Sequence, residues 1–386
     1  MTTHRNGPTH KMIWINIIFF SVTTLVAVIG APLYIHRYGL QPFDFWLMAF
    51  YAIASSMGIT VGYHRLFAHA TFKANRVVQF LLLFFGAAAF EQSALDWSSQ
   101  HRDHHRFVDT ELDPYSIKKG FFYAHIGWLI FWKHTIHHEN AKDLQANPLI
   151  DHQSRYYHAW AIVSGIVLPV LLGCFFSSGL SAFIFAVCVR LTAVYHGTFC
   201  INSVCHMFGK ATYDIHSTAK DHWLVAYATN GEGYHNFHHR FPSDYRNGVR
   251  WHQWDPSKWC IAALSRFHLA WDLRKVSKFK ILEARLLADQ QRVRNWIDQA
   301  KDAASWQHLH RDLEDRYKIL RQRLAAWEQR SNHNREIVYG EIRHRSQVLS
   351  YMARKKIFLA KRRFQQARED WQLLVQSNAS LAAALC

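Results

Sequence analysis

The 386-residue sequence predicts an all-α integral membrane protein with four transmembrane helices, a cytoplasmic helical cap and a C-terminal helical extension. Three observations lead to this fold class. Long apolar segments with almost no charge run through the first two thirds of the chain, clusters of histidine lie between and after them, and the composition changes near residue 275. Half of the residues are hydrophobic, so the chain can also bury a large core.

Four apolar segments are long enough to cross a bilayer, which takes about 20 helical residues. The first carries no charge, the second has only Asp44 near its start, and the last two contain Arg190 alone. The apolar segment 77–90 is short for a span, so we predict a buried or interfacial helix there. The four predicted spans cover approximately residues 13–35, 43–63, 159–177 and 181–204.

Histidines form three clusters with the sequences H-R-L-F-A-H, H-R-D-H-H and H-N-F-H-H. A single cluster could be a solvated polar face, but three in order are hard to obtain by chance. Eight imidazoles are too many for one metal ion, so the clusters predict a pair of ions bound mostly by nitrogen. Such ligands suit iron or copper better than calcium or magnesium, which prefer oxygen. The clustered residues are His64, His69, His101, His104, His105, His235, His238 and His239.

The spacing also predicts where these side chains point. Positions i, i+3 and i+4 of a helix share a face, so each H-x-x-H-H cluster can direct its imidazoles one way. His64 and His69 are five residues apart and do not align on an ideal helix, so we expect them where the second span frays or ends. Asn202 and His206 add a pair four residues apart at the end of the last span, where polar side chains are functional candidates.

A further group, His134, His137 and His138, repeats the H-x-x-H-H spacing. Spacing alone does not exclude it as a metal site. It lies among Lys133 and Glu139, however, and the other histidines already supply enough ligands. An ordinary surface segment is therefore the favoured interpretation.

The histidines also constrain the topology. If the three clusters bind one metal centre, they lie on one side of the membrane, and an even number of spans separates them. Two spans precede His64, so the N-terminus is predicted on that same side. The opposite side has only Arg37 in its loops, whereas the cluster side has the lysines and arginines of the cap and the C-terminal region. The positive-inside rule therefore places the cap and both termini in the cytoplasm.

The C-terminal region differs from the rest in charge and periodicity. Residues 274–386 contain 24 Lys and Arg against 12 Asp and Glu, which suits anionic lipid headgroups better than nucleic acid in a membrane protein. Apolar residues recur every seven positions, and residues 331–334 have the composition of a turn. We predict a helical hairpin or coiled coil that serves oligomerisation, membrane docking or donor recruitment, or that is a solvated appendage. The heptad residues are Trp306, Leu313, Leu320 and Trp327.

At its histidine clusters the chain resembles membrane fatty-acid desaturases of the stearoyl-CoA desaturase type. The resemblance covers roughly residues 10–275, which defines a desaturase domain at 1–275 and an extension at 276–386. It rests on G-Y-H-R-L-F-A-H, on Trp97 followed by H-R-D-H-H, on G-F-F-Y-A-H-I-G-W, on N-S-V-C-H and on G-E-G-Y-H-N-F-H-H. The resemblance implies four spans and a cap that holds a di-iron site.

The resemblance also implies a ligand set of nine histidines and, through a water, one asparagine. One iron would take His64, His69, His101, His105 and His239, and the other would take His104, His206, His235 and His238, with Asn202 behind the water. No catalytic residue is implied beyond the metal centre. Trp97 is expected to line the substrate tunnel, although an aromatic residue there could equally be core packing.

The implied reaction is oxygen-dependent desaturation of a saturated fatty acyl chain, with a cis double bond at the delta-9 position, in unsaturated fatty acid biosynthesis. The acyl-CoA enzymes place Arg-Asp directly before the second cluster, where this chain has Ser99-Gln100, so acyl-lipid and acyl-carrier substrates stay open beside acyl-CoA. The sequence has no H-P-G-G haem motif. A separate electron donor is therefore expected, either a ferredoxin, a rubredoxin or a cytochrome b5-type protein with its reductase.

Two other functions are compatible with the sequence. A membrane hydroxylase could use the same metal centre, because the first hydrogen abstraction is shared. A metal transporter with a histidine reservoir would need ionisable residues within the spans, and only Arg190 lies well inside one.

Overall fold

The computed structural model describes residues 9–133, 135–299, 303–341 and 347–385. The chain divides into two compact units. The first comprises Met1–Ala211 with His216–Lys275, and the second comprises Thr212–Ile215 with Val276–Cys386. Both units are built mainly from helices, which confirms the predicted all-α fold class.

Four helices of the first unit have the length and hydropathy of membrane spans, as predicted. The apolar helix between spans 2 and 3, Arg76–Ala87, has 12 residues and is too short to be a fifth span. The prediction that segment 77–90 does not cross the membrane is therefore confirmed. Spans 1 to 4 are Trp14–Tyr38, Pro42–Ala68, Tyr157–Phe176 and Gly179–Met207.

Span 2 and the short helix Arg76–Ala87 approach each other closely. A β-carbon on Gly58 would lie 2.3 Å from the backbone nitrogen of Gly86, so only glycine fits at this crossing. One turn further on, a β-carbon on Gly62 would lie 2.9 Å from the β-carbon of Leu82. This contact holds the half of span 2 that leads to the first histidine cluster.

Asp44 and Arg190, the two charged residues that the sequence places inside apolar segments, are both buried. The guanidinium of Arg190 donates to the backbone carbonyls of Ala186 at 2.9 Å and of Gly165 at 2.8 Å, and also to that of Ala88. The carboxylate of Asp44 accepts from Ser177 at 3.0 Å. Charged groups inside a membrane protein are tolerated when they face its interior and find such partners.

Short helices and two small β-ribbons complete the first unit. Strand Thr9–His10 pairs with Trp132–Lys133, and Lys73–Ala74 pairs with Ala270–Trp271, both antiparallel. The α-helices are Ala94–Phe107, Trp128–Ile130, Lys142–Gln145, Pro148–Arg155, Trp223–Ala228, His235–Arg240 and Pro256–Arg266. The remaining turns of helix are Ile117–Lys119, Tyr123–Gly127 and His138–Ala141.

The second unit contains three long helices that pack on one another, Lys278–Gln299, Ala303–Glu341 and Gln347–Leu385. The heptad residues Leu313, Leu320 and Trp327 are buried in its core with Phe364 and Trp371. The side chain of Trp306 lies outside the described residues.

The turn predicted at residues 331–334 is wrong, because the helix continues through them to Glu341. Asparagine lowers helix stability by at most about 0.7 kcal/mol per residue. The packing of Trp327 against Phe279 and Phe364 outweighs that small preference. The extension therefore contains three helices rather than two.

Candidate metal centre

Nine histidines of the first unit converge in two groups, and the ligand atoms of each group lie within 4.8 Å of one another. The first histidine group comprises His64, His69, His101, His105 and His238. The second histidine group comprises His104, His206, His235 and His239. All three predicted clusters contribute, and span 4 adds His206.

Within the groups, the Nε2 atoms face one another at short distances. They are 3.0 Å apart for His64 and His238, and 2.8 Å apart for His238 and His105. In the second group, the Nε2 atom of His235 lies 3.0 Å from those of His206 and His239. Two nitrogens bound at right angles to one ion, with bonds of about 2.1 Å, would be about 3.0 Å apart. The spacing therefore fits imidazoles that share an ion.

A π-helix brings His64 and His69 together. The final turns of span 2, Gly58–Ala68, are π-helical, and the N–H of His69 donates to the carbonyl of His64 at 3.1 Å. This bond joins residues five apart, so their rings lie on one face with centroids 4.9 Å apart. Span 2 ends at Ala68 with His69 as its C-cap, as expected, and the wider π-helical turn before this end places both imidazoles in the first group.

The two H-x-x-H-H clusters each serve both groups. On helix Ala94–Phe107, His101 and His105 point into the first group and His104 into the second. On helix His235–Arg240, His235 and His239 point into the second group and His238 into the first. In both cases the pair four residues apart stays together, because these positions share a helix face.

This arrangement reverses the expected division at two positions. The resemblance assigned His239 to the first ion and His238 to the second, whereas the structure places them the other way round. Asn202 lies one turn before His206 on span 4 and lines the cavity beside the second group. The nine histidines of the two groups were all among the ten predicted positions, but their distribution between the groups was not predicted.

A buried carboxylate orients the first group. The Nδ1–H of His64 donates to Glu232 at 2.8 Å, which leaves Nε2 for a metal. Arg65 binds the same carboxylate at 2.9 Å and Asp255 at 3.0 Å. Burial alone would raise the pKa of Glu232, but His64 and Arg65 outweigh it and hold the pKa below its usual value. Glu232 is therefore ionised.

The second group has an equivalent support. The Nδ1–H of His104 donates to Asp113 at 2.8 Å, and this contact lowers the pKa of Asp113 in spite of its burial. The Nδ1 atom of His206 lies 2.7 Å from the hydroxyl of Thr218, which donates to Asp109 at 2.6 Å. Sequence reasoning missed these residues, and Glu232 as well, because no spacing rule connects them to the histidines.

Six histidines of the two groups are held in the neutral form. Burial, followed by the proximity of the other imidazoles, lowers the pKa of each of them well below its ordinary value. A neutral imidazole is the form that binds a metal ion, so burial prepares the site for binding. These residues are His69, His101, His105, His235, His238 and His239.

A cavity of about 790 Å³ adjoins both groups. Its volume lies within the range of about 300–1,000 Å³ that is typical of ligand pockets. Apolar side chains of spans 1 and 4, such as Phe19 and Phe199, form part of the wall, and His64, His101 and His235 lie along it. Trp97 lines the cavity and stacks on His101, with ring centroids 4.8 Å apart.

Comparison with known proteins agrees with this geometry. Residues 42–270 match the profile of the fatty acid desaturase family. The chain belongs to this family. It is 39% identical over 64% of its length to a probable acyl-CoA desaturase of Schizosaccharomyces pombe, and 36% identical over 73% of its length to acyl-CoA desaturase 1 of Saccharomyces cerevisiae. Human stearoyl-CoA desaturase is 35% identical over 72% of this chain.

The relatives differ in how much of their own length is covered. The chain spans about half of the two yeast proteins, 53% and 58%, and 79% of the human protein. The desaturase family that the histidine motifs predicted is confirmed. As a family member with four apolar spans, the chain is a multi-pass membrane protein.

The described residues of the additional H-x-x-H-H segment, His137 and His138, contact helix Ala94–Phe107 and belong to neither histidine group. His138 pairs with Asp96 at 2.7 Å, and the backbone carbonyl of His137 accepts from Ser99 at 2.9 Å. His134 lies outside the described residues. Ser99 therefore links helix Ala94–Phe107 to this segment, and its neighbour Gln100 lines the cavity.

Proposed function

We propose that this protein desaturates a saturated fatty acyl chain, with iron and oxygen, and places a cis double bond at the delta-9 position. One observation carries the proposal: nine converging imidazoles adjoin an apolar cavity that is large enough for an acyl chain. The acyl-CoA and stearoyl-CoA desaturases among the relatives support the same substrate class.

The residues have distinct roles in this proposal. The two histidine groups hold one iron each, and Asn202 completes the second site through a water. Bound iron would supply the oxidant for an unactivated C–H bond, which side chains lack. The apolar wall excludes water and aligns the chain, while Trp97 contacts it beside His101. Position along the cavity selects the bond, since the methylene groups are chemically alike.

Two observations bear on the head group of the substrate. The relatives favour a CoA thioester. Ser99, however, is engaged with His137 and Asn140 and offers no charge to a CoA group. We therefore keep acyl-CoA and acyl-lipid as alternative substrates of one reaction.

The orientation of the protein and its partners belong to the same proposal. We place the metal centre and both termini in the cytoplasm, where a separate ferredoxin, rubredoxin or cytochrome b5-type protein can deliver electrons. The three-helix extension buries its heptad residues Leu313, Leu320 and Trp327. Oligomerisation, lipid contact or donor recruitment would therefore use its outer, basic surface rather than an unfilled heptad seam.

Expression in cells that lack their own desaturase tests the reaction. Cells supplied with stearate should accumulate an 18-carbon acid with a cis delta-9 double bond, identified by mass spectrometry after derivatisation. A hydroxylated chain without an alkene would instead show a hydroxylase. Purified protein should contain iron in both groups, whereas zinc or copper without oxygen consumption would support a metal carrier.

A further inference from the structure

Glu91 places a carboxyl group in the wall of the acyl cavity. It lies on the turn between helices Arg76–Ala87 and Ala94–Phe107, and its side chain is half-buried and faces the cavity. One oxygen accepts from the hydroxyl of Thr198 at 2.9 Å. The other accepts from the indole N–H of Trp97 at 3.3 Å. Trp97 in turn stacks on His101, so the carboxyl touches the wall next to the metal centre.

Within the described residues, Glu91 has no cationic partner. Arg190 uses its guanidinium on three backbone carbonyls, and Asp96 is already paired with Ser93 and His138. The other titratable groups that line the cavity are Tyr115, Tyr157, Tyr195, Glu232 and the histidines His64, His101, His104, His158 and His235, and the hydroxyl of Tyr63 also interacts with Glu91. An ionised Glu91 would therefore be stabilised only by two neutral hydrogen-bond donors.

This environment favours the neutral acid. Burial raises the pKa of Glu91 to about 7, and the hydrogen bonds from Thr198 and Trp97 only partly oppose the shift. Exposed glutamates ionise at about 4.3. The geometry agrees with the direction of the shift, because the carboxyl faces an apolar space without a counter-ion.

We propose that Glu91 is a binding residue that admits the acyl chain only as its neutral acid, so that acyl binding takes up a proton at this carboxyl. The inference rests on the proposed function. An acyl chain in the cavity replaces the water that would otherwise solvate an ionised carboxylate, and an unsolvated charge against methylene groups is strongly unfavourable. The neutral acid retains both hydrogen bonds, and placing the acyl chain beside it costs much less free energy.

The sign of the pH effect follows directly. The competent, protonated fraction falls as pH rises, and the apparent dissociation constant increases in inverse proportion to that fraction. Between one pH unit below and one unit above a pKa of about 7, the KM for the acyl substrate should rise about tenfold. The kcat at saturating substrate should change much less, since the bound state is already protonated.

The coupling between acyl binding and protonation of Glu91 is tested by steady-state kinetics. The KM for stearoyl-CoA is measured between pH 6 and 8.5 with the full-length protein in membranes. Wild type should lose affinity as pH rises, and Glu91→Gln, a neutral isostere, should keep a low KM throughout. Glu111→Gln is the matched control, because that side chain is 88% exposed, and it should behave as wild type. A wild-type KM that does not vary with pH, or a Glu91→Gln profile as steep as wild type, would overturn the proposal.

A second measurement does not depend on turnover. In an infrared pH titration of the purified protein, wild type should show a protonated-carboxyl C=O band that disappears with a midpoint near 7 and is missing in Glu91→Gln. If no variant turns over any acyl substrate, the proposed function fails, yet this band still decides the protonation of Glu91. Identical spectra for wild type and Glu91→Gln would refute the proposed protonation of Glu91.

Discussion

The two histidine groups draw on the same two helices but differ in the number of imidazoles that they contain. The first has five imidazoles, and the second has four and lies beside Asn202. The first is oriented by a carboxylate that also binds Arg65, whereas the second depends on Asp113 and on the Thr218–Asp109 pair. The first group therefore offers the fuller set of nitrogen ligands, and the second leaves room for a smaller ligand.

This difference has a structural origin. Two helices each contribute an i, i+4 pair to one group and a single histidine to the other. The remaining histidines come from the ends of spans: span 2 and its C-cap residue supply His64 and His69 to the first group, and span 4 supplies only His206 to the second. The π-helical turn of span 2, which allows two contributions from one helix, accounts for the extra imidazole.

Removal of a ligand should have the largest effect. His238→Ala takes from the first group an imidazole whose Nε2 lies close to those of both His64 and His105. We expect activity to fall more than about 100-fold, beyond the loss typical of an outer hydrogen-bond partner, with iron lost from the first group. Fatty acid analysis and iron content per chain measure the two effects.

His137→Ala is the matched control for this experiment. His137 contacts helix Ala94–Phe107, which carries His105, but belongs to neither histidine group, and its contact with Ser99 uses the backbone carbonyl. It should retain iron and activity. Full activity of His238→Ala would contradict the assignment of the first group.

Substitution of the supporting carboxylates should have an intermediate effect and should separate the two groups. Glu232→Gln removes the negative charge behind His64, and Asp113→Asn removes the charge behind His104. Each should weaken iron binding about 10- to 100-fold at its own group, as measured by iron retained against a chelator and by Mössbauer spectroscopy. Loss of both irons in equal measure from either variant would show that the groups do not bind independently.

The spans and the histidines that converge in the structure could be predicted from the sequence, because helical periodicity and apolar length are local properties. The four spans, the non-spanning helix Arg76–Ala87 and the histidine positions all follow from residues close in the chain. The carboxylates Glu232 and Asp113 could not be assigned in this way, because they act through contacts that only the folded chain creates.

Three features of the structure were not predicted from the sequence. The π-helix at His64 and His69 departs from the usual 3.6-residue period, and it lies in the half of span 2 that packs against Arg76–Ala87 through Gly58 and Gly86. The reversal of His238 and His239 could have been avoided, since the i, i+4 rule keeps His235 with His239. In the extension, core packing by Trp327 overrode the turn composition at 331–334.

The smallest effect should come from Asn202, where the two groups differ most. Asn202→Ala leaves all nine imidazoles in place but removes the polar side chain beside the second group, one turn from His206. Iron content should stay unchanged, while activity should fall about tenfold, the lower end of the range for groups that act on a metal indirectly. Ser203→Ala, a neighbour on the same span that hydrogen-bonds His125 instead, is the control and should be nearly neutral. If Asn202→Ala loses iron as His238→Ala does, Asn202 is a direct ligand, and the second group matches the first in ligand number.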